Sequence, residues 1–496
     1  MKKILIFISV LFVLAACSKL EDLNVNTKAF TSATGPSVFN GTVRAFFNQM
    51  ATFNVNQNNT ELFVQHFTET TYLDESRYDM VTRPVPQNHN NIMYRNVLMN
   101  LKEAKRLFTV RTAIQDGISQ GQRDNQLAIV EIMSIFAWSN VIETFGDMPY
   151  SEALDILNVS PKYDDAFTVY KDLIVRLDAA LASMDAAEGG MGATFDNIYN
   201  DDVAMWIKFG NSLKLRMGLM LADKDATLSQ TTVNSAITAG VFTSGEKFSL
   251  EYLGASPNQN PVYTELVVSG RSDFVVANTL ADACNATNDP RRVGFMWTQV
   301  GGIYKGGVVG KSSGYTTYSH VDNSQLTSER EVVLMDYVEV EFLLAEAAAR
   351  GGYTGAGVAA THYANAVTES ITNWGGTSAE AATYLAQPTV DYATLIATQP
   401  WKQVIGTQAW IAYYMRGFSA WTSWRRLDYP RLIAAVDHVQ DVNGIPQRYS
   451  YPISEQTLNH DSWAAAVALM TVGGDNAMTP LFWDTVHYNT LTGADV

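Results

Sequence analysis

Residues 163–184 read YDDAFTVYKDLIVRLDAALASM. Tyr163, Phe167, Tyr170, Ile174, Leu177, Leu181 and Met184 recur there at alternating spacings of four and three, which places them on one face of an α-helix. Asp164 and Asp165 fall in the first turn, where carboxylates complement the helix dipole. Gly189, Gly190 and Gly192 break the pattern. A second stripe follows, Trp206, Phe209, Leu213, Met217 and Met220, entered through Asp201 and Asp202. Two amphipathic helices joined by a glycine-bearing loop predict an αα-hairpin.

The same unit recurs outward from this stretch. Leu127 to Phe145 reads as a helix with Ile129, Ile132 and Phe136 on one face. Met335 to Arg350 is alanine-rich and stopped by Gly351 and Gly352, and His362 to Trp374 is its expected antiparallel mate. Trp401 to Gly417 and Trp421 to Leu427 form a further pair. Such hairpins predict tetratricopeptide-like units that bury their apolar faces against one another, although the tetratricopeptide consensus itself is poorly matched. Between the second and third units, residues 239–331, Gly, Ser, Asn, Thr and aromatics dominate, with short β-like runs at Phe274–Val276 and Val308–Val309. The expected fold is mostly α: one domain over residues 35–496, built of tetratricopeptide-like helical hairpins with an irregular, loop-rich insert containing short strands. Binding residues concentrate on loops held by a rigid scaffold.

Composition narrows the function. Lys and Arg number 34 against 50 Asp and Glu, for a net charge of −16. That balance excludes nucleic acid as a partner, because no basic patch repays the phosphate charge. Only 17% of residues are charged, against about 25% in typical soluble proteins. A neutral polar and aromatic surface suits a neutral ligand such as sugar or peptide.

The N-terminus has the form of a secretory signal: Met1-Lys2-Lys3, an apolar run from Ile4 to Leu14, then Ala15-Ala16-Cys17. The run is short of the roughly 20 apolar residues of a membrane span, and no later stretch reads as apolar for long enough to span a bilayer. Ending on a cysteine, it resembles the lipobox of bacterial lipoproteins, in which residues 1–16 are removed and Cys17 is lipidated. Residues 17–34 then read as a tether, and Glu21 and Asp22 resemble the surface-export signal of Bacteroidetes lipoproteins. With Cys17 lipidated, Cys284 has no disulfide partner and is expected to be an inert thiol.

Several ordered stretches carry a wider resemblance. They are Phe145 to Leu154, Trp206 to Met217, Tyr337 to Gly351, Gly417 to Arg426, Arg448 to Glu455 and Leu481-Phe482-Trp483-Asp484. Behind a lipobox and in this order, the set resembles the SusD/RagB family of nutrient-binding outer-membrane lipoproteins. Asn24 to Thr27 lacks the proline common in relatives, Gly210 stands where alanine is commoner, and Phe482-Trp483 replaces a tryptophan pair. The matched stretches read as scaffold, with Arg425 and Arg426 expected to pair with acids or cap helix ends. The resemblance implies a non-catalytic lid on a SusC-like, TonB-dependent outer-membrane transporter. Anchored by lipid on the extracellular face of the outer membrane, it would capture oligosaccharide or peptide and deliver it to the pore.

Sugar rings stack their apolar faces on flat aromatic side chains, with polar neighbours setting orientation. Two clusters offer this chemistry. The first holds Tyr72, Asp74, Arg77 and Tyr78, after a predicted helix from Glu61 to Thr70. The second holds Trp297, Tyr304, Tyr315 and Tyr318 among glycines that would let backbone approach a ligand. No metal or cofactor is expected. Gly310-Lys311-Ser312-Ser313-Gly314 matches a nucleophile-elbow pattern, but no helix is predicted after it. Asp437 to Gly444 resembles a calcium loop without the closing glutamate, and is expected to be a turn. The rival function is a glycoside hydrolase on a helical barrel, which needs two carboxyl groups flanking the bond. Asp147, Glu152, Glu339 and Glu341 supply acids, and no motif singles out a pair.

Overall fold

The computed structural model describes residues 33–299, 301–439, 444–485 and 488–495. The leader (residues 1–16), Cys17, the tether to residue 32 and residues 440–443 of the calcium-loop resemblance lie outside the described residues.

Antiparallel helix pairs make the body: α1 (Gly35–Ala51) with α2 (Met99–Val110), α3 (Gln120–Phe145) with α4 (Ala166–Ala182), α5 (Val203–Met220) with α6 (Ala226–Ala239), α7 (Tyr337–Arg350) with α8 (Ala359–Asn373), and α9 (Trp401–Ala412) with α10 (Gly417–Leu427). The stripes read from the sequence face the core; Tyr170, Leu177, Trp206, Phe209 and Leu213 are buried. Short polar caps start these helices: the side chains of Asp165, Asp202 and Asp336 accept from the amides of Thr168, Met205 and Glu339. Glycines in the left-handed region end α3 at Gly146 and α7 at Gly351.

Pairing differs from expectation at one place. The α4 and α5 stripes touch, but they are not one hairpin: α4 returns along α3, and α5 returns along α6. Helix α6 is rich in Thr and Ser, so its apolar stripe is thin and escapes a periodicity reading. At Gly210 a Cβ would sit 2.6 Å from Leu181 Cδ2, so the residue that departs from the common alanine is where α4 and α5 press together.

Helix α3 also corrects an expectation. It is long and apolar enough to cross a membrane by length and composition. Its most apolar stretch is 83% buried by its neighbours, which makes α3 a core helix.

The short strands are β1 (Phe67–Glu69), β2 (Lys247–Leu250), β3 (Phe274–Val276) and β4 (Val332–Asp336); β1 pairs antiparallel with β3, and β2 with β4. The predicted helix from Glu61 to Thr70 is corrected to a turn of helix at Thr60–Phe63, a left-handed Gln65 and then β1. Pairing with β3 outweighs the local helical pattern. Val308 and Val309 form no strand: Gly307 bridges Ala277, and the chain turns at Gly310, φ +80°. The insert is less irregular than expected, since it also holds helices such as Asn278–Ala286.

Candidate functional site

Backbone hydrogen bonds bring the two predicted clusters together. The chain leaves β1 into Thr70–Tyr78, while the partner strand β3 carries the insert loop on its flank: Val276 N donates to Ser319 O (2.8 Å) and Gly307 N to Val276 O (2.8 Å). Ser313 N (3.2 Å) and Ser312 Oγ (2.8 Å) both reach Thr70 O. A third segment, Ile433–Val439, closes over the junction. Its Val436 N donates to Val309 O (3.2 Å) and its Val439 N to Arg77 O (3.0 Å). Two of the loop glycines serve the fold instead of a ligand. A Cβ at Gly306 would lie 2.4 Å from Asn278 Cα, and one at Gly310 would lie 2.3 Å from Val436 O. They admit the protein's own backbone.

The aromatics separate by role. His320, 8% exposed, is sandwiched between Trp297 (centroids 4.9 Å, interplanar angle 6°) and Tyr315 (4.1 Å, 4°). Its Nδ1 lies 3.0 Å from Val321 O and must carry the hydrogen, because a carbonyl only accepts. Burial lowers its pKa below the ordinary 6.5, so the central ring is neutral at pH 7. Trp297 and Tyr315 are half-buried, each with its face away from His320 free of that stack. Tyr304 lies under the Arg292 guanidinium (5.2 Å) and Tyr318 under the Lys305 ammonium (4.6 Å). Tyr72 is 68% exposed and Asp74 is exposed beside it.

Two members of the first cluster are structural in their placement. Tyr78 is corrected from a ligand residue to a core residue: it is fully buried, and its hydroxyl accepts from Ala435 N (2.9 Å) and Gln65 Nε2 (3.3 Å). Arg77 clamps the junction, with Nε donating to Gly310 O (2.9 Å) and Nη2 3.6 Å from Asp437 Oδ2. His320, Arg292, Lys305 and Ile433–Val436 escaped the sequence reading, since none of them shares a periodic pattern with the tyrosines. His320 does follow Tyr318 by two residues, and an aromatic count widened to imidazoles would have included it.

Beneath this surface lies a buried acid pair. Glu69 (2% exposed) and Glu75 (0%) share a hydrogen bond. Burial, then the neighbouring charge of Glu75, pushes the Glu69 carboxyl from its ordinary 4.5 up to about 9. Glu69 Oε2 accepts from Ser76 N (2.9 Å) and Ser76 Oγ (2.8 Å), while Arg83 Nη1 sits 2.5 Å from Glu75 Oε2. Two carboxyls in contact and sealed from solvent cannot flank a glycosidic bond, which requires accessible groups about 5–9.5 Å apart. The acids named for the rival enzyme are engaged elsewhere: Asp147 accepts from Ala166 N, Glu152 from Lys162 N, Glu339 pairs with Arg416, and Glu341 with His362. Ser312 and Ser313 donate to the carbonyls of Thr70 and Lys311, so the elbow pattern is not an activated nucleophile. Among the described residues no three His, Cys, Asp or Glu side chains gather as metal ligands. Cys284 is buried, which raises its pKa well above the ordinary thiol value.

The scaffold motifs explain themselves similarly. Arg426 pairs with Glu346, as expected. Arg425 instead lies over the Trp421 ring (3.7 Å) and donates to the carbonyls of Trp421 and Gln447.

No curated protein matches the chain. Solved structures do. A chitin-binding SusD homologue from Flavobacterium johnsoniae superposes with a TM-score of 0.76 at 23% identity, covering 90% of this chain and 98% of that one. A SusD homologue from Bacteroides uniformis gives 0.74 at 23% identity, covering 90% and 99%. At such identities the likeness speaks for the fold alone. The sequence itself matches a family model, SusD-like, described as "Starch-binding associating with outer membrane", over residues 27–452. With most of its length matched and its helical body shared, the chain belongs to the SusD/RagB family.

Proposed function

We propose that the protein is a non-catalytic glycan receptor, anchored by lipid at Cys17 on the outer face of the outer membrane. It passes captured oligosaccharide to a SusC-like, TonB-dependent transporter. The observation that carries this reading is the parallel Trp297–His320–Tyr315 stack on the loop surface. It offers flat apolar faces, flanked by the cation-covered Tyr304 and Tyr318 and by exposed Tyr72 and Asp74. Pyranose rings have matching apolar faces, and the surrounding polar groups suit hydroxyls. Two structural neighbours are named as chitin-binding, which makes N-acetylglucosamine oligomers the first ligands to test.

The test is calorimetric titration of the purified chain with a neutral oligosaccharide panel, beside an assay for released reducing ends. Binding without turnover is expected, with Trp297→Ala and Tyr315→Ala each weakening it at least about tenfold, the equivalent of about 1.4 kcal/mol. Undiminished binding in both variants would remove the stack from the site. Turnover would replace the receptor by an enzyme.

A further inference from the structure

A cleft of about 450 Å³ opens where β4 runs into α7, with Trp374 at the end of α8 and the Met415–Arg416 turn as its other walls. None of the eight aromatic or polar residues singled out from the sequence lines it. Its acids are satisfied. Glu331 pairs with Lys247 (2.5 Å), Asp336 with Arg416 (2.9 Å) and Glu246 with Lys208 (2.5 Å), and Glu369 accepts from Ser244 Oγ (2.9 Å) and Gly245 N (3.0 Å).

One cation is left over. Arg330 has no carboxylate within 4.0 Å among the described residues. Its guanidinium lies over the Trp374 ring at 5.2 Å, and Nη1 reaches only the weak acceptor Met415 Sδ at 3.6 Å. Burial lowers its pKa, and the nearby Tyr414 and Glu331 offset that only in part. None of its nitrogens is sealed from solvent without a partner, and the side chain lines the cleft. A planar fork of donors in a cleft that Trp374 also lines matches a carboxylate carried on a sugar ring: the fork takes the two oxygens, and the part of the indole left open to the cleft, beyond its packing on Phe295 and Tyr414, takes the ring's apolar side.

The geometry points to this cleft as a second ligand site, specific for an acidic saccharide of the uronic-acid type, with Arg330 as counter-ion and Trp374 as platform. It extends the glycan reading to a different surface, and its test is read separately from that of the loop stack. The full chain is titrated with digalacturonate, its methyl ester and N-acetylglucosamine dimer. Digalacturonate is expected to bind and the methyl ester to bind at least about tenfold more weakly. Arg330→Gln should lose about thirtyfold or more, the usual effect of removing one member of a part-buried charge pair. Arg330→Lys, which keeps the charge but not the fork, should fall between, and Trp297→Ala should leave acid binding unchanged. The wild-type comparison of acid with ester needs no variant to fold. Equal binding of acid and ester, no binding of either, or an Arg330→Gln variant that binds like wild type would overturn the site. Competition by acetate with no effect of Trp374→Ala would overturn the saccharide and leave a simple anion site. Loss of N-acetylglucosamine binding alone would count against the loop stack and not against this cleft.

Discussion

The Glu69–Glu75 pair makes stability fall as pH rises through the neutral range. Glu69 is 2% exposed, and its pKa moves from an ordinary 4.5 to about 9 on folding. Below pH 4.5 the carboxyl is protonated in both states, and its contribution to stability is fully present. Between 4.5 and about 9 only the folded chain holds the proton, so each pH unit removes about 1.4 kcal/mol. From pH 6 to pH 8 the loss is about 3 kcal/mol, and above about 9 the slope from this group vanishes. Glu69→Gln removes the titration but retains an oxygen for Ser76 N and Oγ and an N–H for Glu75. The variant should therefore gain about 3 kcal/mol on wild type between pH 6 and pH 8, whichever is more stable at pH 6. A chain of this length gains only about 1 °C in Tm per kcal/mol, so urea unfolding at the two pH values is the better measurement. Hydrogen exchange at the Ser76 amide gives a local reading. Parallel losses in wild type and variant would mean that Glu69 is ionised in the folded chain, and that burial at this site has been overrated.

Other perturbations separate scaffold from site. Tyr78→Phe should cost about 1–3 kcal/mol by stranding Ala435 N–H and Gln65, with glycan affinity of the folded protein unchanged; urea unfolding and calorimetry read the two effects. Gly306→Ala puts a Cβ against the Asn278 backbone, which side-chain motion cannot relieve. It should destabilise by about 1–3 kcal/mol and weaken glycan binding together, because the loop bearing Tyr315 and His320 must lift. Arg426→Met leaves the buried Glu346 with Arg350 alone and should cost about 3 kcal/mol in urea unfolding, without changing glycan affinity.

The helical body was legible because burial there repeats along the chain. Trp206, Phe209 and Leu213 could be assigned to the core from spacing alone, and Asp202 from its place before them. The partner of each helix was less legible, since α6 buries little more than Ser229, Thr232, Val233 and Ala236 and presents few large apolar residues. In the site, the residue types were readable and their neighbours were not. Tyr78 looked exposed among Asp, Glu and Arg, yet the amide that its hydroxyl meets comes from Ala435, 357 positions away. Trp297 and Tyr315 were selected as ring-bearing loop residues, but the ring that makes them parallel, His320, carries no periodic signal.

That distribution bears on how the site works. A loop surface assembled from separate segments would ordinarily lose affinity to the ordering of its parts on binding. Here β1, β3 and Ile433–Val439 are already tied by main-chain bonds, Arg77 bridges two of the segments, and Gly306 and Gly310 close the remaining gaps against backbone. The cost of ordering has been met during folding, by groups that themselves need not touch the ligand. Aromatic faces held this way can grip a weakly interacting neutral sugar, and they can release it without a conformational step. The proposed role, reversible capture before transfer to a pore, would need both properties, and a site that closed over its ligand would give up the second.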